Sequence, residues 1–117
     1  MLTHKDLDVW QLGIALVKDV YLTTEHFPPT EKYALSSQMQ RCAISVPSNI
    51  AEGTARQTKK EYIQFLYIAL GSLSELETQF VIAKEIGYID AVETIEGRIE
   101  QIRRKLLNFI SFLKKQT

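Results

Sequence analysis

The sequence predicts an all-α fold, an antiparallel up-down-up-down four-helix bundle with a kinked second helix. Three observations predict it. Apolar residues alternate spacings of three and four along four long segments, the period of a helix face and not of a strand. Breaks fall at Phe27-Pro28-Pro29, at Gly53–Thr58 and at Gly87-Tyr88 with Asp90, in a chain with only five glycines and three prolines. The 117 residues suit one domain, and the joints are short enough to make consecutive helices antiparallel neighbours. A long two-helix coiled coil is the weaker alternative. No strand alternation, internal repeat or low-complexity tract competes with either.

The first helix is expected over about residues 3–25 and carries two apolar stripes. Leu7, Trp10, Ile14, Val17 and Tyr21 form one, and Val9, Leu12, Leu16 and Val20 lie nearly opposite. The second helix is expected over about residues 30–56, capped by Thr30, with Glu31 at the positive end of its dipole. Leu35, Met39, Cys42, Val46, Asn49 or Ile50, and Gly53 define its core face, while Tyr33, Ile44, Ala51 and Ala55 lie on its back. The third, about 59–87, opens with the capping box Thr58-Lys59-Lys60-Glu61 and carries Tyr62, Leu66, Ala69, Leu73, Leu76 and Phe80 until Gly87 stops it. The fourth, about 91–115, opens with a second box, Asp90-Ala91-Val92-Glu93, and carries Ile95, Ile99, Ile102, Leu106, Phe109 and Leu113 opposite a charged face.

Two helices with apolar residues on more than one side need extra burial. A 117-residue bundle covers one face of each, so the sequence predicts self-association through Val9, Leu12, Leu16, Val20, Ile44 and Ala51.

Residues 45–56 read SVPSNIAEGTAR and fall inside the second helix. Pro47 removes an N–H and strands the carbonyl of Ala43, which predicts the kink. Gly53 lies on the core azimuth, where a missing side chain admits another helix. Glu52 and Arg56 stand at i,i+4 in the favourable order. Asn49, Glu52 and Arg56 can be read as a ligand or catalytic site. The reading preferred here is a buried polar network that fixes the helix, because no histidine, second carboxylate or nucleophile lies near them in sequence to complete an acid–base site.

These residues resemble a known family. Phe27-Pro28, Glu31-Lys32-Tyr33-Ala34-Leu35, Gln38-Met39-Gln40-Arg41-Cys42-Ala43, Ser45-Val46-Pro47-Ser48-Asn49-Ile50-Ala51-Glu52-Gly53, Arg56 and Ala69-Leu70-Gly71-Ser72-Leu73-Ser74-Glu75-Leu76 look like the bacterial proteins encoded within 23S rRNA intervening sequences. Leu7-Asp8-Val9-Trp10 and Ile86-Gly87-Tyr88-Ile89 match too, so the resemblance covers roughly residues 6–90. It implies a four-helix bundle. The chain is also similar to the accessory variability protein of diversity-generating retroelements. That similarity implies a barrel-shaped pentamer that binds a reverse transcriptase and nucleic acid. A ring of five would bury the spare faces of the first two helices.

Lys+Arg and Asp+Glu number 14 each, so the net charge is zero, unlike the basic accessory proteins and unlike most polyanion binders. The topology nevertheless separates charge. The N-terminus, the second joint and the C-terminus share one end, which gathers Lys5, Arg56, Lys59, Lys60, Lys114 and Lys115. The other end gathers Glu25, Glu31, Glu85, Asp90, Glu93 and Glu96, offset by Lys32, Lys84 and Arg98. Arg56, Lys59, Lys60, Arg103, Arg104, Lys114 and Lys115 form a candidate nucleic-acid surface. A solvated pattern that complements the helix dipoles is the plainer reading.

Searches for other chemistry are empty. One cysteine, Cys42, and two distant histidines, His4 and His26, give neither a disulfide nor a zinc site, and no metal or cofactor is expected. No Gly-rich phosphate loop, H-E-x-x-H or Glu-x-x-His occurs. With no signal segment and no apolar run of roughly 18 residues, the chain reads as a cytoplasmic protein without a membrane partner. The function expected is a non-enzymatic oligomeric scaffold or adaptor. A nucleic-acid-binding accessory protein, RNA or DNA, is the alternative.

Overall fold

The computed structural model describes residues 2–116. A 3-10 turn over His4–Asp6 leads into α1, Asp8–Thr24; a second turn over Pro29–Glu31 leads to α2, Leu35–Thr54; then come α3, Lys59–Glu85, and α4, Glu93–Lys115. Each helix packs on the next in sequence, and α4 closes the square on α1. The diagonal pairs make no close backbone approach among the described residues. The bundle is long and thin, 49 × 23 × 21 Å, as expected when helices of this length stand side by side at about 1.5 Å per residue.

The core faces of α2, α3 and α4 follow their heptad stripes. Met39, Cys42, Val46 and Ile50 of α2 are buried with Leu66, Ala69, Leu73, Leu76 and Phe80 of α3. Ile99, Ile102, Leu106 and Leu113 of α4 complete that layer, and Tyr62, Ile95 and Phe109 pack against it half-buried. The first helix is turned the other way. Val9, Leu16 and Val20 are 5%, 0% and 0% exposed and belong to the core, whereas Ile14 and Tyr21 of the opposite stripe are 45% and 44% exposed. Gly13 explains the choice. A Cβ there would lie 3.3 Å from Cβ of Pro47, tighter than ordinary contact, so the glycine face lets α1 settle closely against the proline ring of α2. Three of the residues expected to mediate self-association are therefore core residues, and Leu12 is half-buried against the same core.

Helix ends differ from expectation in three places. Thr3 opens a 3-10 turn and not α1: its hydroxyl accepts from the N–H of Lys5, its own N–H donates to Asp6 Oδ2 at 2.7 Å, and Leu7 turns extended before α1 begins. Thr30 does not cap α2. The double proline holds residues 29–31 in their own turn, and the Glu31 carboxylate instead accepts from the N–H of Leu35 at 3.3 Å. The Asp90 box does not form either. Val92 stands at the N-cap of α4 without a side-chain bond, its own side chain buried in the core. Thr58 caps α3 as expected, accepting from the N–H of Glu61 at 3.1 Å. Glu61 then bonds the Thr58 hydroxyl at 2.8 Å. Gly87 ends α3 at φ +86°, and the Tyr88 N–H bonds back to Ala83 at 2.9 Å, a left-handed cap that suits glycine.

Polar ties set the helix register. Arg98 and Asp19 pair at 2.9 Å, and Lys105 and Asp8 at 2.6 Å, joining α4 to α1. Tyr88 donates to Glu31 at 2.6 Å and packs on Phe27 with ring centroids 5.2 Å apart, which clasps the α1–α2 joint to the α3–α4 joint. The proton-sharing carboxylate raises the Tyr88 pKa above its ordinary value.

Candidate functional site

The segment Ser45–Arg56 occupies the C-terminal half of α2 and the turn that follows it. Pro47 sits inside the helix without ending it, buried against Gly13. It cannot donate to Ala43, and side chains near it bond to backbone within the same turns. Ser45 Oγ donates to the Cys42 carbonyl at 2.6 Å, and Asn49 Nδ2 donates to the Ser45 carbonyl at 2.7 Å. Gly53 is buried where α2 meets α3. A Cβ there would lie 2.7 Å from Tyr62 Cδ1 and 3.2 Å from Phe65 Cβ.

Glu52 and Arg56 form the expected ion pair at 2.8 Å. It is not buried: their side chains are 56% and 40% exposed. The Arg56 guanidinium lies 4.5 Å from the centre of the Phe65 ring, which it covers. Asn49 bonds within its own helix and does not join this pair. The expected single polar network is thus two separate local devices. An exposed pair between the last turn of α2 and the turn after it has water for a partner as readily as protein, so burial has no hold on it.

One more polar cleft opens beside this segment. Gln38, Arg41, Cys42, Ser45, Ser72 and Glu75 line about 410 Å³ between α2 and α3. Ser45 Oγ and Ser72 Oγ share a hydrogen bond of 2.6 Å, and the Cys42 thiol donates to the Ser72 carbonyl at 3.0 Å. Burial, reinforced by the nearby Glu75 carboxylate, pushes the Cys42 pKa up to about 12. A thiol in that state is not a nucleophile at neutral pH.

The candidate cations fall into three groups. Arg103 is withdrawn from the surface, paired with Glu77 at 3.0 Å and Glu100 at 2.6 Å with 20% of its side chain exposed. Arg56 is engaged by Glu52 and Phe65. These two fit a bundle-stabilising role better than phosphate contact, because their charge is already matched. Lys59 bonds the Gln116 carbonyl, and Lys114 donates to the Tyr67 hydroxyl at 2.9 Å. Lys60, Arg104 and Lys115 are exposed and make no ion pair among the described residues. The contact of Lys59 with Gln116 shows that the start of α3 and the end of α4 share one end of the bundle, as the topology predicts.

The outward apolar surface lies elsewhere than the first-helix stripe expected. Ile14 and Tyr21 of α1 and Ile44 of α2 are each more than two-fifths exposed, with Trp10, Val17 and Ala51 half-buried alongside. On a helical wheel, Trp10, Ile14, Val17 and Tyr21 span about 60°. Sequence reasoning missed a second outward face, on α3, where Tyr67, Ile68, Val81 and Ile82 are exposed, with exposed Ile86 at its C-cap. The signal was present: between Glu61 and Lys84 the only charges are Glu75 and Glu77. Among the described residues, no helix is long and apolar enough to cross a membrane.

Residues 5–108 match the family model described as 23S rRNA-intervening sequence protein. A search among curated proteins gave no match.

Proposed function

Because the chain belongs to the family of 23S rRNA-intervening sequence proteins, we propose that it is a non-enzymatic scaffold or adaptor, built by lateral self-association of four-helix bundles. The observation that carries this reading is the outward face of α1 and α2. Ile14, Tyr21 and Ile44 are exposed on neighbouring helices, beside half-buried Trp10, Val17 and Ala51. Apolar residues so grouped on a chain of this size favour a covered state, at about 25 cal/mol per Å² removed from water. The apolar exposures on α3 give the bundle a second, different face for a neighbour. Two different faces suit a closed ring, and the resemblance to the accessory variability protein suggests five copies.

Sedimentation velocity tests this reading. Wild-type chain at micromolar concentration sediments as an oligomer, and the double variant Ile14→Glu/Ile44→Glu sediments as a monomer with unchanged helix content. A monomeric wild type sinks the proposal.

A second reading, contact with RNA or DNA, is favoured by exposed Lys60 and Lys115, which make no ion pair among the described residues, with Lys5, Lys59 and Lys114 close to the same end and exposed Arg104 midway along α4. It predicts binding to mixed nucleic acid that weakens steeply with salt and on Lys→Gln substitution at these positions. No retention at low salt argues against it.

A further inference from the structure

We infer that the two ends of the bundle are complementary docking surfaces, and that the acidic end of one copy receives the basic end of a second copy. At the basic end Lys5, Arg56, Lys59, Lys60, Lys114 and Lys115 stand against only Asp6, Glu52 and Glu61, since Asp8 is matched by Lys105. At the acidic end Glu25, Glu31, Glu85, Asp90, Glu93 and Glu96 stand against only Lys32 and Lys84, since Arg98 is matched by Asp19. The surplus is three positive charges at one end and four negative at the other, on a molecule with no net charge.

Helix dipoles do not account for the segregation. Lys114 and Lys115 at the end of α4, and Glu93 and Glu96 at its start, follow the dipole. Four others oppose it. Lys59 and Lys60 are the first two residues of α3, Glu85 is its last, and Glu25 is the C-cap of α1. Each sits where the opposite charge would stabilise the helix. Glu25, Glu85 and Asp90 are exposed and make no ion pair among the described residues, as are Lys5 and Lys60. The arrangement leaves both ends with charge that no ion-pair partner among the described residues satisfies, and a second copy presents the matching pattern.

The area limits the strength of the contact. The transverse extents of 23 and 21 Å give each end about 480 Å². Twice that lies below the roughly 1,200–2,000 Å² of a stable interface, so one bundle stacks weakly on another. Several bundles held side by side would engage together and gain avidity. Only this strengthening rests on the lateral reading above; the complementarity does not. Such a contact joins unlike surfaces and does not close, so it grows as a linear stack.

The test is light scattering of nuclease-treated protein at about 20 mM and about 500 mM salt, where the screening length changes from tens of ångströms to a few. Stacking predicts a weight-average mass at least about twofold higher at low salt, rising with protein concentration. Two triple variants reverse one end each: Glu25→Lys/Glu85→Lys/Asp90→Lys and Lys5→Glu/Lys59→Glu/Lys60→Glu. Most of these changes agree with the helix dipoles, so the fold tolerates them. Each variant alone loses the salt-dependent rise, and an equal mixture regains it. A wild-type mass independent of salt overturns the inference. So does a mixture that fails to regain the rise, or a variant that stacks alone. The mass at high salt reports lateral association separately, so either reading can fail without the other.

Discussion

Gly53 gives the sharpest mutational test of how α2 and α3 fit together. In an ordinary helix interior, Gly→Ala gains about 0.8–1 kcal/mol of stability. At Gly53 a Cβ meets Tyr62 Cδ1 at 2.7 Å, closer than carbon atoms tolerate. It also meets Phe65 Cβ at 3.2 Å, an atom fixed to the backbone of α3. The Tyr62 ring cannot simply swing away, because it packs edge-on against Phe109 with centroids 5.6 Å apart. Overpacking of this kind costs about 1–3 kcal/mol. Gly53 also lies one residue from the end of α2, where the propensity gain is smaller. Gly53→Ala is therefore expected to destabilise by about 1 kcal/mol net. Gly97→Ala is the internal control. It lies in α4 with nothing within 4 Å of its added Cβ, and should stabilise by close to the full propensity gain. Urea unfolding at one protein concentration measures both, with a separation of about 2 kcal/mol between the two variants. Equal stabilisation by both would refute the close α2–α3 contact.

Other substitutions follow from the polar geometry. Tyr88 is held protonated by Glu31, so its folded pKa exceeds its unfolded one; the contribution is fully present below pH 10 and is lost as pH rises toward the folded value. Tyr88→Phe should remove that part of the alkaline loss in urea melts, and an unchanged pH slope would contradict the clasp. Native Cys42, with its pKa near 12, should resist alkylation at neutral pH and react fully once the chain is unfolded. Rapid labelling of the folded protein would show the thiol to be reachable and ionised. Arg103→Met should cost about 1 kcal/mol in low salt and less in high salt, because part of the loss is its two screened ion pairs. A cost that does not change with salt would assign Arg103 a packing role only.

The sequence was most legible where one stripe was clearly more apolar than the rest. Leu66, Leu73, Leu76 and Phe80 of α3, and Ile99, Ile102 and Leu106 of α4, keep an unbroken heptad stripe, and all are buried. The first helix was ambiguous because both stripes are apolar. What decides between them is the Gly13–Pro47 contact, 34 positions apart in sequence. Periodicity counts residues on one helix and cannot see such a pair, although Val9, Gly13, Leu16 and Val20 do keep the heptad spacing once glycine is admitted to it. Helix starts misled for a related reason. Thr30 and Asp90 have capping side chains, but Pro28-Pro29 fixes its own turn and Val92 is drawn into the core, so tertiary packing sets where α2 and α4 begin. The segment SVPSNIAEGTAR was readable as helix with a close-packing glycine. The exposure of Glu52 and Arg56 was not, because an i,i+4 pair looks the same in sequence whether buried or wet.

The lateral assembly through α1 and α2 is the claim on which the functional reading rests. Light scattering of the wild-type chain at micromolar concentration and about 500 mM salt, where end-to-end contacts are screened, tests it most directly. The account predicts a mass several times the 13.4 kDa of one chain, independent of further salt. A mass of one chain, from protein whose helices are intact, would contradict it.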